Sequence, residues 1–462
     1  MDSTSKSDAV SAPQKRHVVL FPFMSKGHII PLLHLARLLL RRRHISVTFF
    51  TTAANRPFIA DSLSDTSAAV VSLPFPYNLP GIPAGVESTD RLPSMSLFTP
   101  FAEATELLKS HFEQALQNLL PRVSLLVSDG FLWWTLDSAA KFGIPRLVSY
   151  GMPTYAMVLT RLAIRHGLLH GNYGEDVITA VPPLPGIKIR RKDVDTASSV
   201  SHEFMAKATE ATSRSFGIVV NSSYEMERDF VDFFNREYQC KAWCVGPLCL
   251  AEKKQLQRTN KHPWIHQWLD QQKGSVLYVA FGSQAEISPQ QMKEIAKGLE
   301  ESEVNFVWVM RKRDQTVDEY LPEGYEERVR NRGIVVREWV DQKEILKHES
   351  VKGFMSHCGW NSVMESVCAE VPILAWPMMA EQPMNARMVE EEMKVGLRVE
   401  RNCDGFVERE EVKKKVKELM EGDTGKEVRK KVKEVADMAR KAMEEGGSSW
   451  LALDSLINET CA

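Results

Sequence analysis

Short apolar runs alternate with amphipathic stretches through most of this chain. His17–Phe23 (HVVLFPF) is apolar without a break, as a parallel strand buried on both faces should be. The small loop Met24–Gly27 leads into a helix expected from about His28 to Arg43. Pro31 falls in its first turn, and Ser46–Thr51 completes a βαβ opening. Leu73–Arg91, rich in proline and glycine, reads as an irregular loop, and helical spacing resumes over Pro100–Leu120. Val123–Asp129 is another buried strand, followed by Gly130 and an apolar helix through Ala140. Pro145–Tyr150, Gly217–Asn221 and the short piece Trp243–Pro247 supply the remaining strands of this half, and 151–215 is mixed, with the turn-rich VPPLPG at 181–186.

The pattern then repeats. Ala251–His262 (AEKKQLQRTNKH) is polar, charged and without period, and is taken as an interdomain linker. A short helix over Trp264–Asp270 precedes a strand at Ser275–Phe281 and a helix at Pro289–Glu300. Further strands are expected at Asn305–Met310, Gly333–Arg337, Val351–Ser356 and Pro372–Trp376. In Glu410–Met443, Val412, Val416 and Leu419, then Val428, Val432 and Val435, recur at helical spacing among charges of both signs, which reads as two solvated amphipathic helices. Gly446-Gly447 breaks the chain before a last helix from about Ser449. The expectation is an α/β chain of two Rossmann-like βαβ domains, 16–250 and 263–447, after a disordered tail at 1–15.

Composition adds little to this. At 462 residues, 44% apolar and 26% charged, the chain is ample for large cores, and a formal charge of −2 provides no attraction to nucleic acid or anionic membrane. The first residues lack the apolar core of a signal peptide and no run is long enough to span a bilayer, so the expectation is a cytoplasmic monomer. Seven cysteines without paired spacing point to reduced thiols, and Cys240, Cys244 and Cys249 lack the CxxC spacing or histidine of a zinc site.

Chemistry concentrates in Trp339–Gln382. The turn His357-Cys358-Gly359-Trp360-Asn361-Ser362 joins a buried strand to a helix whose first N–H groups are free to hold an anion. Glu381-Gln382 closes the stretch with a carboxylate and an amide suited to vicinal hydroxyls. An anion cradle beside hydroxyl-binding groups suggests a nucleotide sugar. The ordered set Trp339, Gln342, Ile345-Leu346, His348, Gly353-Phe354, His357, Gly359-Trp360-Asn361-Ser362, Glu365, Val371-Pro372, Pro377 and Gln382 resembles the signature box of the plant family 1 UDP-dependent glycosyltransferases.

That resemblance implies a GT-B architecture, with two domains facing each other across a cleft and the last helix, about 448–462, crossing back onto the first. It implies that Trp339 stacks on uracil, with Val340 beside it, that Gln342 reaches base or ribose, and that Glu365 accepts from the ribose hydroxyls. His357, Gly359, Asn361, Ser362 and Ser283 would hold the diphosphate, and Trp360, Glu381 and Gln382 would face the hexose. His28, in Gly27-His28-Ile29-Ile30-Pro31, becomes the expected general base, and Asp129, ending a later strand, its orienting carboxylate. By themselves the two residues read as a helix-terminal hydrogen-bonder and a helix cap.

The implied reaction is inverting transfer of glucose from UDP-glucose to a hydroxyl of a small, phenolic or flavonoid-type acceptor. Carbon glycosylation of a phenolic ring, or another UDP-sugar, stays open. No cofactor or metal is implied, because helix dipole, backbone amides and His357 can meet the departing diphosphate. The DxD pattern Asp193-Val194-Asp195 offers only two carboxylates, too few for a divalent ion's shell. An oxidoreductase would need a GxGxxG turn after a strand, which neither Met24–Gly27 nor Gly282-Ser283 supplies, and a binder without chemistry would not need both His28 and Asp129.

Three residues depart from the family pattern. Asp341 replaces a proline and should loosen the loop. Glu370 replaces a glycine, implying an ordinary backbone there, and Glu381 replaces the commoner aspartate. Phe131, Trp133, Met152 and Tyr155 are the expected acceptor-pocket residues. Phe75, Tyr77 and Trp134 are open between pocket and core.

Overall fold

The structure, a computed structural model, describes residues 16–42, 44–166, 179–181, 184–194, 200–251, 262–282, 284, 286–310, 320–402 and 404–460. The expected tail at 1–15, the linker apart from Ala251 and His262, Ser283 and Asp195 lie outside them.

The strands of the first half are β1 (Arg16–Phe21), β2 (Ile45–Thr52), β3 (Ala69–Leu73), β4 (Leu125–Asp129) and β5 (Arg146–Ser149). A small antiparallel ribbon, β6 (Thr179–Val181) and β7 (Leu184–Ile189), precedes β8 (Gly217–Val220) and β9 (Lys241–Cys244). The ribbon apart, they form one parallel sheet in the order β3-β2-β1-β4-β5-β8-β9. The second half contributes β10 (Val276–Ala280), β11 (Asn305–Val309), β12 (Gly333–Val336), β13 (Val351–Ser356), β14 (Ile373–Ala375) and β15 (Gly396–Arg398). These make a second parallel sheet, β12-β11-β10-β13-β14-β15.

Both sheets reverse their winding once. In the first, β1 pairs with β2 on one side and β4 on the other; in the second, β10 stands likewise between β11 and β13. The loops leaving the carboxyl ends of such a strand pair diverge and open a crevice. The loops after β1, β4, β10 and β13 therefore bound one cleft from opposite sides.

An apolar cluster runs without a break across the halves, joining Tyr155, Val158, Leu159, Phe230 and Phe234 of the first to Trp360, Val363, Met364, Val367 and Ile373 of the second. Beside it, Asp193 and Arg398, both almost fully buried, pair at 2.6 Å, and Arg398 Nη2 donates to the Lys192 carbonyl at 2.7 Å. The first carboxylate of the DxD pattern is thus committed to a guanidinium between the halves. The helix Ser448–Thr460 lies on the first sheet, where Leu453, Leu456 and Ile457 join the core around β1 and β2 and Ser449 Oγ donates to the Gly246 carbonyl.

Several elements differ from the sequence reading. The first helix runs Lys26–Leu40, so Pro31 stands past its first turn. β3 has no counterpart in the sequence reading, where only its last residue, Leu73, falls in the expected loop; it is an edge strand with only Leu73 fully buried. The stretch 151–215 contains the helices Thr154–Arg165 and His202–Ser213.

Removing one member of a buried ion pair strands the other, which costs about 3–5 kcal/mol. Asp193→Ala should therefore lower the thermal midpoint by several degrees or more; calorimetry showing an unchanged midpoint would contradict the buried pairing.

Candidate active site

His28 follows β1, in the first turn of the helix Lys26–Leu40, and Asp129 is the last residue of β4. Because those strands are neighbours, the two side chains meet: His28 Nδ1 donates to Asp129 Oδ2 at 2.6 Å. Ionised Asp129 is acceptor-only, so this contact puts the neutral ring's proton on Nδ1 and leaves Nε2 as the basic atom. Asp129 is itself fixed, 2% exposed, with Oδ1 accepting from the Phe131 amide at 3.0 Å. The rings of Phe23 and Phe131 flank the imidazole at 5.7 and 5.4 Å between centroids.

Burial by itself would lower the His28 pKa. The charge of Asp129, its hydrogen bond and the more distant charge of Glu381 outweigh that, and the net shift is upward. Three effects thus favour the imidazolium, the species a general base becomes as it takes a proton.

A cavity of about 570 Å³ extends from this pair to the loops of the second sheet. On the far wall, β13 runs into the turn His357–Gly359, with Cys358 at φ +64°, and then into the helix Trp360–Cys368. The His357 ring fills the space beside Gly282 and Gly359: a Cβ there would lie 2.7 and 2.5 Å from its Nε2. A side chain at either position would push the imidazole aside, so the two glycines make room for it at the helix N-terminus. His357, Gly359, Asn361 and Ser362 line the cavity around that N-terminus, where free N–H groups and helix dipole favour an anion.

Next along the wall, Gln342 Nε2 donates to Glu365 Oε2 at 2.7 Å and to Ser362 Oγ at 3.0 Å, tying these three side chains together. Trp339, 43% exposed, offers an indole face at the rim, with Lys26 of the first domain 5.8 Å above it and Val340 packed beneath the loop. Gln382 Oε1 accepts from the amides of Met378 and Met379 at 3.0 and 3.1 Å, which shapes the loop that carries Glu381 into the cavity.

Some expected positions fall elsewhere. Tyr155 is fully buried under the interdomain cluster, with its hydroxyl on Arg387, and Trp133 packs against the core of the first domain, so neither lines the cavity. Trp360 borders it, but its ring is 1% exposed and its indole N–H donates to the Asn221 carbonyl at 2.8 Å, so it serves as an interdomain packing element. Asn361 Nδ2 donates one of its two N–H groups to the Gly27 carbonyl, and the residue also lines the cavity. Of the open aromatics, Phe75 and Trp134 are core and Tyr77 is exposed. Phe131 and Met152 do line the cavity, joined by Met95, Phe98, Tyr150 and Val200. Met95, Phe98 and Tyr150 come from segments that the sequence leaves without any local signal of a pocket, whereas Val200 falls in the variable 160–205 region, which the family resemblance assigns to the acceptor side.

Two departures also resolve differently. Asp341 caps the helix Gln342–Leu346, its carboxylate accepting from the Lys343 amide at 3.1 Å, which replaces proline's stiffness with a hydrogen bond. Glu370 does adopt φ +62°, in the left-handed region just past the helix Trp360–Cys368, contrary to the expected ordinary backbone. The Val371 amide returns to the Ser366 carbonyl, closing that helix end, and Arg440 binds the Glu370 carboxylate at 2.7 Å.

With fold and geometry in view, the likenesses to known proteins are decisive. The family model "UDP-glucoronosyl and UDP-glucosyl transferase" matches residues 216–436. "UDP-glycosyltransferase 90A1" of Arabidopsis thaliana is 54% identical over 96% of each chain. This chain belongs to the plant family 1 UDP-glycosyltransferases. The Glycyrrhiza uralensis structure of UGT73P12, complexed with glycyrrhetinic acid 3-O-monoglucuronide, superposes with a TM-score of 0.86 at 30% identity, covering 96% of this chain and 95% of the other. Medicago truncatula UGT71G1, complexed with UDP-glucose, gives 0.82 at 27%, covering 97% and 99%. The fold is thus GT-B, and the protein is a UDP-sugar glycosyltransferase of plant secondary metabolism. Among the described residues no helix is long and apolar enough to cross a membrane.

An imidazole with a raised pKa stays protonated to higher pH, so the base form appears only above the ordinary histidine value. The acid limb of kcat/KM should therefore lie above pH 6.5. In Asp129→Asn the charge is gone while the burial remains, so the limb should move down as turnover falls about 10²–10⁴-fold. A limb that stays in place, read from pH–rate profiles of both proteins, would contradict the pairing.

Proposed function

We propose that this transferase moves glucose from UDP-glucose to a hydroxyl of a small aromatic acceptor, of phenolic or flavonoid type, with inversion at the anomeric carbon. The observation that carries the proposal is His28. Its Nδ1 is tied to buried Asp129, and it stands on one wall of the cavity whose other wall is the anion-binding turn. In this reading Trp339 stacks on uracil, Glu365 and Gln342 take the ribose, and His357, Ser362 and the helix N-terminus hold the diphosphate. Glu381 and Gln382 face the sugar.

The acceptor would lie among Phe98, Phe131, Met95, Met152 and Val200, an apolar surface on the His28 side that suits a flat ring better than a polyol. His28 Nε2 would take the hydroxyl proton as oxygen attacks the anomeric carbon from the face opposite UDP. The bond to the diphosphate oxygen breaks, and the imidazolium is held by Asp129. The positive end of the helix Trp360–Cys368 meets the charge that develops on the leaving group. The UDP-glucose in the Medicago structure supports the choice of donor.

His28→Ala should abolish transfer from UDP-glucose to phenols while UDP still binds by calorimetry. Wild-type turnover in that variant would remove His28 from the mechanism. An acceptor screen with mass detection should favour phenols, and equal rates with aliphatic alcohols would refute the aromatic pocket.

A further inference from the structure

Gly27 immediately precedes His28 inside the helix Lys26–Leu40. Its carbonyl would ordinarily accept from the N–H four residues on, but that residue is Pro31, which has none. Asn361 Nδ2 takes the carbonyl instead, at 2.6 Å, reaching across from the first turn of the helix Trp360–Cys368 in the donor domain.

The amide of Asn361 is oriented in turn. Its Oδ1 accepts from Asn221 Nδ2 at 3.2 Å. Asn221, just after β8 and 7% exposed, commits Oδ1 to the Leu248 amide at 2.7 Å and its carbonyl to the Trp360 indole at 2.8 Å. With its oxygen spent on Leu248, Asn221 can turn only its NH₂ toward Asn361. That in turn directs the NH₂ of Asn361 to Gly27. A second grip comes from Gln284, whose Nε2 donates to Thr89 Oγ1 and, at 3.2 Å, to Ser25 Oγ; the Ser25 carbonyl accepts the His28 amide. The helix start that carries His28 is thus held from the donor domain at two points.

We propose that Pro31 and Asn221 are positioning residues, which keep Asn361 on the Gly27 carbonyl and thereby set His28 against the sugar held by the opposite domain. The inference rests on His28 acting as the base. Proline empties the carbonyl, asparagine aims the donor that fills it, and the first turn of the helix Lys26–Leu40 is registered by the half of the molecule that binds UDP.

Pro31→Ala restores a competing helical N–H. Asn221→Asp keeps the acceptor for Leu248 but sets a carboxylate oxygen against Asn361 Oδ1. Both variants should fold and bind UDP like wild type, and lose about two- to tenfold in kcat, the weight of one neutral hydrogen bond, with KM for the phenol within about twofold. In an Asn361→Ala background, Pro31→Ala should cost nothing further; additive losses, or wild-type kcat in the single variant, would overturn the inference. A wild-type enzyme that transfers no glucose would instead refute the proposed function. Amide exchange of Met24–Ile30 reads the same coupling without turnover: Asn221→Asp and Asn361→Ala should both speed it, and exchange at the wild-type rate in both would overturn the inference.

Discussion

The 2.6 Å hydrogen bond between His28 and Asp129 can form only because β1 and β4 are adjacent, and they are adjacent because the first sheet reverses its winding between them. A histidine at a helix N-terminus and an aspartate at a strand end are unremarkable when apart. Brought together at a switch point, with the carboxylate buried and acceptor-only, they become a base of fixed tautomer. The second sheet repeats the device with β10 and β13, where the crevice exposes a helix N-terminus. Neither crevice suffices for transfer. One holds a group that can remove a proton, and the other holds groups that can retain an anion.

The two crevices need a common frame, which forces of different kinds supply. The apolar cluster across the seam is the larger contribution, at roughly 25 cal/mol per Å² buried, but it is non-directional and tolerates sliding. Register comes from directional contacts: the buried ones of Asp193 on Arg398 and the Trp360 indole on Asn221, and the exposed one of Asn361 on Gly27. The surface lysine–carboxylate pairs of the helices Arg409–Met420 and Asp423–Met443 add little, at most about 1 kcal/mol each.

How much of this could be read from the sequence varied with the physics of each element. Central strands such as His17–Phe23 and Ser275–Phe281 declare themselves because burial on both faces demands an unbroken apolar run. β3, with partial burial, lacks that signature, and the helix Thr154–Arg165 lies in a stretch whose mixed composition hides its ends. The Trp339–Gln382 box stood out through residue types in fixed order. Aromatic residues did not sort themselves: Tyr155, Trp133 and Phe131 look alike in sequence, and only packing separates core from cavity. Glu370 could not reveal its positive φ, since glutamate does not mark a left-handed backbone and its partner Arg440 is far along the chain.

The central claim is that both walls act on one acceptor atom. A crystal structure with a non-transferable 2-fluoro analogue of UDP-glucose and a bound phenol tests it most directly. The account predicts the phenolic oxygen within about 3.2 Å of His28 Nε2 and facing the anomeric carbon on the side away from the diphosphate, with uracil on Trp339. A phenol seated with its hydroxyl out of reach of His28, or a sugar turned away from the first domain, would contradict it.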